Sequence, residues 1–237
     1  MNCAPAGVPD PTTFERTAAG LSLIAAPALL LVADLIDSHP DAAGDTAAVV
    51  ADPGRHQAWA LVGLLGVLLL VPATLALVTL TRSRRPLLAF VGGSLAVAGF
   101  VALAAQRGFH LVIVEMARGG ADRAEMQALF DRVEGNAGVV LVVVFAIVGT
   151  FFGQLLLCVG LWRAQVVPIW VPALVLLELP VSAAASSPIA SDPFALLALG
   201  WIGLIVLRMP LAAWDGRHLP RSAARVERSD QLEIVPR

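Results

Sequence analysis

One carboxylate stands alone in an apolar run. Glu178 lies near the middle of residues 167–185, a stretch with no other charge. In hydrocarbon such a group is costly unless it is paired, hydrated or protonated. Pro180 follows it, and a proline inside a helix leaves the carbonyl four residues earlier, here Leu176, without its N–H partner. Pro172 is expected to do the same nearer the start of the run. A carboxylate beside freed carbonyls suits cation binding or proton relay. The competing reading is a protonated Glu178 hydrogen-bonded to a neighbouring helix.

A second polar group surrounds three run ends. Asp34 lies late in the run 18–36, Gln106 and Arg107 close the run 87–106, and His110 follows one turn on. His56 and Gln57 open the run 58–80. Runs joined by short links tend to be neighbours in space. The spacing therefore predicts an Asp34–Arg107 pair with Gln106 and His110 close by, a polar pocket above Glu178. Snorkelling of long polar side chains to headgroups would account for the same residues.

Metal and cofactor chemistry finds little to build on. His39, His56 and His110, with Asp52 and Glu115, are of ligand type, but they come from separate segments with no signature spacing. A bis-His haem needs two histidines at similar depth on facing helices; His56 and His110 lie too near the ends of their runs. The series Asp34, Asp37, Asp41 and Asp45 is of the kind that holds Mg²⁺-diphosphate in membrane prenyltransferases. Pro40 and Gly44 interrupt it, so it reads as a solvated acidic loop. Gly92-Gly93-Ser94 has the look of a rhomboid nucleophile motif, but no later run holds a His to act as base. There is no CDP-alcohol phosphotransferase signature, Walker motif, H-E-x-x-H or glycosylation sequon. No cofactor and no catalytic residue is implied.

Six apolar runs must position these groups: 18–36, 58–80, 87–106, 137–161, 167–185 and 193–209. Their only charges are Asp34, Glu178 and Arg208. Each is close to the ~20 residues a helix needs to cross a ~30 Å hydrocarbon layer. Backbone groups in lipid must be satisfied internally, and continuous apolar runs exclude a barrel. The fold class is all-α: a bundle of six transmembrane helices over 18–210, between an N-terminal tail 1–17 and an Arg-rich tail 211–237. All 16 basic residues are Arg, and eleven of them cluster at one end: Arg16, the turn Arg82, Arg84 and Arg85, Arg163, and six from Arg208 onward. The positive-inside rule puts that end and both termini in the cytoplasm of a bacterial plasma membrane. Trp162, Trp170 and Trp214 then form an inner belt and Trp59 an outer anchor, with Trp201 in mid-run.

The outer links differ in kind. Residues 38–56, with Pro40, Gly44, Pro53 and Gly54, are expected to form an irregular loop. The helix of run 87–106 either continues through His110–Ala117 or restarts after Gly108. Asp122-x-x-Glu125 resembles a capping box. Met126, Leu129, Phe130 and Val133 then recur at helical spacing before Gly135. A short amphipathic helix over 122–134 follows, lidding the bundle in preference to lying in the headgroups. Gly149-x-x-x-Gly153 with Ala146 and Gly160, and Gly92, Ala96 and Gly99, are small-residue stripes suited to close packing within the bundle.

Composition agrees with this layout. Hydrophobic residues are 58% and charged residues 14%, too little polar surface to cover a water-soluble globule. Those figures also exclude a disordered chain, a coiled coil and a nucleic-acid binder. The partner the chain implies is the lipid bilayer. Arg221, Arg225 and Arg228 either attract anionic lipid or only set topology. Cys3 and Cys158 are far apart in character, so no disulfide and no Cys-x-x-Cys site is expected. No cleavable signal peptide is read: the first apolar run is long, acidic residues precede it, and no A-x-A site follows.

Ala51-Asp52-Pro53-Gly54-Arg55, the Arg-rich turn 82–85, and Gly160-Leu161-Trp162-Arg163 running to Pro168-Ile169-Trp170 resemble recurring features of small multi-pass membrane proteins of actinobacteria. Those proteins form domain-of-unknown-function families. The resemblance covers 18–210 in layout, and it implies a multi-pass membrane fold and no activity. Three function classes follow from the residues: small-solute or ion/proton handling through Glu178, a non-enzymatic regulatory or structural membrane subunit, and a metal- or cofactor-binding membrane enzyme.

Overall fold

The computed structural model describes residues 11–36, 46–185, 188–211 and 213–214. Eight α-helices account for nearly all of them, in the order α1 (Pro11–Ile36), α2 (Thr46–Ala51), α3 (Pro53–Arg82), α4 (Pro86–Arg118), α5 (Arg123–Glu134), α6 (Ala137–Arg163), α7 (Trp170–Ala185) and α8 (Asp192–Arg208). A single 3₁₀ turn, Pro188–Ala190, precedes α8. Among the described residues there is no strand.

The long helices close into a ring. α1 packs on α3, α3 on α4, α4 on α6, α6 on α7 and α7 on α8, and α8 returns to α1. Each contact but the last joins long helices that follow one another along the chain, as short connections favour. The ring is tightest where glycines remove side chains. A Cβ on Gly153 would lie 2.4 Å from the Ala96 nitrogen, and one on Gly99 would lie 2.3 Å from the Thr150 nitrogen. So α4 and α6 touch backbone to backbone along the two small-residue stripes. Gly203 does the same for α8, where a Cβ would stand 2.8 Å from the Gly20 carbonyl oxygen of α1. Phe100, Leu23, Leu77, Leu157 and Ile202 fill the interior.

The outer surface is apolar. Leu61, Leu65, Leu68 and Leu75 of α3 are exposed, as are Val140, Leu141, Val144, Phe145, Ile147 and Val148 of α6. Contiguous apolar surface on this scale is not found on water-soluble monomers. Among the described residues, four helices are long and apolar enough to cross a membrane: Thr12–Ile36, Pro53–Arg82, Pro86–Arg118 and Ala137–Arg163. These features fit an integral membrane protein. α7 and α8 are shorter, with 16 and 17 residues.

Several boundaries differ from the sequence-based expectations. Helix α1 begins at Pro11, inside the expected tail. α4 runs unbroken through Gly108 to Arg118. The expected loop 38–56 contains α2 and the start of α3. Pro53 sits at the N-terminus of α3, where its missing N–H costs nothing, and Asp52 caps it by accepting from the Arg55 N–H at 3.0 Å. Pro172 falls in the first turn of α7 and frees no carbonyl: that of Pro168 accepts from the Val171 N–H at 3.2 Å. Pro180 does lie inside α7. In α5, Asp122 is the N-cap and accepts from the Ala124 N–H at 3.3 Å, a simple cap on N2 in place of the expected box with Glu125. Met126 and Phe130 of α5 are buried. Trp59 and Trp214, expected as interfacial anchors, are buried as well, at 7% and 3% exposure.

The two ends of the ring differ. At one end Arg16 donates to the Met209 carbonyl at 2.5 Å, and Arg84 donates to that of Ala164, so arginines tie the links there. At the other, α2 and α5 cap the bundle, joined by Thr46 donating to Gln127 at 2.7 Å. Cys3, Asp37, His39, Asp41, Asp45, Arg221, Arg225 and Arg228 lie outside the described residues.

Candidate functional site

The chemistry gathers at the α5 end. Asp34, in the last turns of α1, is 6% exposed. Its Oδ1 accepts from the Trp59 Nε1–H at 3.1 Å and pairs with Arg107 Nη2 at 3.6 Å. The Arg107 guanidinium also lies over the Trp59 ring, 4.0 Å from its centroid. One side chain from each of α1, α3 and α4 thus forms a closed triangle of ion pair, hydrogen bond and cation–π contact.

Local sequence makes room for it. Gly63 lies one helical turn beyond Trp59 on the same face of α3. A Cβ there would stand 3.1 Å from both Cζ and Nε of Arg107, so the guanidinium packs against bare backbone. His56, one turn before Trp59, has its ring 5.4 Å from the indole, and His110 of α4 meets the same indole edge-on at 5.0 Å. Trp59 is the hub of the cluster, with the cation on it and two imidazoles around it.

A second carboxylate reaches this triangle. Asp192, the first residue of α8, lies close enough for its charge to act on Asp34 and Arg107. Asp192 Oδ2 and Arg107 Nη1 are buried without a hydrogen-bond partner among the described residues. Glu178 of α7 is half-buried and close enough for its charge to act on Asp192 and on Cys158. It makes no hydrogen bond among the described residues. Asp34 and Asp192 thus stand near one guanidinium, with Glu178 within electrostatic range of Asp192.

The structure brings Asp34, Arg107 and His110 together, with Glu178 further along the bundle. Gln106 turns away to line a cavity between α4, α5 and α6, which His110 also borders. Glu115 is elsewhere, pairing with Arg118 at 3.1 Å on the exposed surface, while Arg118 donates to Gln57 at 2.5 Å. Among the described residues, no three His, Cys, Asp or Glu side chains converge as metal ligands would. Sequence reasoning missed Trp59, Gly63 and Asp192. Trp59 read as a headgroup anchor, and for Gly63 the available signal was a glycine one helical turn from that Trp. For Asp192 it was a carboxylate beside Pro193 at a helix start.

No protein-family model matches this chain, nor does any curated protein or solved structure.

Proposed function

We propose that the chain crosses a bacterial plasma membrane with six helices, α5 on the outer face and both termini in the cytoplasm, and that it handles protons or small cations through Asp34, Asp192 and Glu178. The observation that carries this is an excess of acid over base within the bundle: Asp34 is buried, and Asp192 and Glu178 are half-buried, with one arginine to offset them. Arg107 neutralises one carboxylate; the others need a proton or a cation, since uncompensated charge at such depth is costly. Asp192 and Asp34 supply a site for a bound proton near the outer surface, and Glu178 a second carboxyl deeper in the bundle. Trp59 and Gly63 hold Arg107 in place, so the guanidinium acts as a fixed counter-charge. The count of six spans rests on α7 and α8 completing the ring, and the orientation rests on the arginines of the links at the Arg84 end.

Ordinary carboxylates titrate near pH ~4. Detergent-purified protein stepped from weakly acid to weakly alkaline medium, with released protons read by an indicator dye, tests the reading. Wild type is expected to release at least one proton per chain more than the Asp192→Asn, Glu178→Gln double variant. Equal release by the two proteins overturns the proposal.

A second reading, a non-enzymatic subunit whose polar residues lock the bundle, is favoured by the way Trp59 and Arg107 both engage Asp34. Under it, the same variants shift thermal stability and leave proton release unchanged.

A further inference from the structure

α4 and α6 touch at Gly99 and Gly149 and then part toward α5. Beyond the glycines, Gln106 and Phe109 face Val139 and Val143 across a gap that Phe130 of α5 only partly fills. The gap is a cavity of about 350 Å³. That is within the range of small-molecule pockets, whose lower bound is ~300 Å³. No charged side chain lines it. Its polar groups are two, Gln106 and His110, one turn apart on α4.

We propose that this cavity binds a neutral amphiphile, with an apolar body between the valines and phenylalanines and one hydrogen-bonding head, such as a hydroxyl or amide, at Gln106 and His110. The walls supply the hydrophobic contact, and a Gln side chain offers both a donor and an acceptor to the head. A charged head would enter without a counter-charge and lose its hydration. Ala105 and Val142 line the cavity and are themselves exposed, so its mouth opens on the apolar outer surface and the ligand enters from the lipid side. Phe109 and Phe130, with ring centroids 6.1 Å apart, tie α5 to α4 at the wall. The site stands on the cavity alone and is independent of proton handling by the carboxylates.

The test uses the full chain in membrane vesicles with a diazirine-bearing octanol, photolysed and mapped by mass spectrometry. Adducts are expected on Phe130, Val133 and Val139, saturating with probe and displaced by unlabelled octanol. Octanoate and octylammonium should compete at least tenfold more weakly. Ala105→Trp and, separately, Val143→Trp should each reduce these adducts at least tenfold while labelling of lipid-facing Leu65 persists. Gln106→Leu should weaken competition by octanol about fivefold, the equivalent of one hydrogen bond. Wild-type adducts that do not saturate, or that spread equally over Leu65 and Leu68, overturn the proposal without reference to any variant. Equal competition by the charged analogues overturns the neutral head.

Discussion

At the scale of single residues, the account turns on two aspartates with different jobs. Asp34 compensates Arg107 in a buried site, so removing its charge strands a guanidinium. Asp34→Asn is expected to cost about 3–5 kcal/mol of stability, the usual cost of breaking a buried pair from one side; equilibrium unfolding in mixed micelles reads it. Asp192 adds a half-buried carboxyl within electrostatic range of that pair. Asp192→Asn strands no partner, because Asp192 Oδ2 has none among the described residues, so it should cost less stability than Asp34→Asn in the same assay. Gly63→Ala presses a methyl on the Arg107 guanidinium. Because that end of the side chain can shift, the expected loss is only about 1 kcal/mol. A change in Trp59 emission should accompany it, measured with Trp59→Phe as reference.

At the scale of helices, the glycine seam carries the sharpest expectation. A side chain on Gly153 meets the Ala96 backbone, which cannot give way. Gly153→Val is expected to cost about 3 kcal/mol, the top of the usual overpacking range, in a thermal assay. At Gly200, inside α8, a Cβ would have nothing within 4 Å, so Gly200→Ala should raise stability by about 0.5–1 kcal/mol through helix propensity. The seam was legible because small residues repeated every three or four positions on both helices. α5 was legible because Met126, Leu129, Phe130 and Val133 keep helical spacing between a capping Asp122 and Gly135. α2 was not, because Pro53 and Gly54 look like loop punctuation, whereas proline at a helix start is unstrained. The Asp34–Arg107 pair could be read from adjacency of short-linked runs. Trp59 could not, since a tryptophan at a run end ordinarily anchors to headgroups, and only the packed structure shows its N–H turned inward to Asp34. Asp192 was hidden for a similar reason: a carboxylate at a helix N-terminus is ordinarily there for the dipole.

At the scale of the whole molecule, the ring of helices, its apolar outer surface and its unlike ends form one arrangement. Arginines tie the links at one end, while α2 and α5 pack together at the other. That polarity only has meaning if a membrane separates the ends, and single-cysteine mapping tests this most directly. Ser83 lies in the exposed link at the Arg84 end, and Glu125 is exposed on α5. In a chain with Cys3 and Cys158 replaced by Ser, Glu125→Cys is expected to react with a membrane-impermeant maleimide on intact cells. Ser83→Cys should react only after permeabilisation. Equal labelling of both positions on intact cells, or the reverse order, would contradict the account.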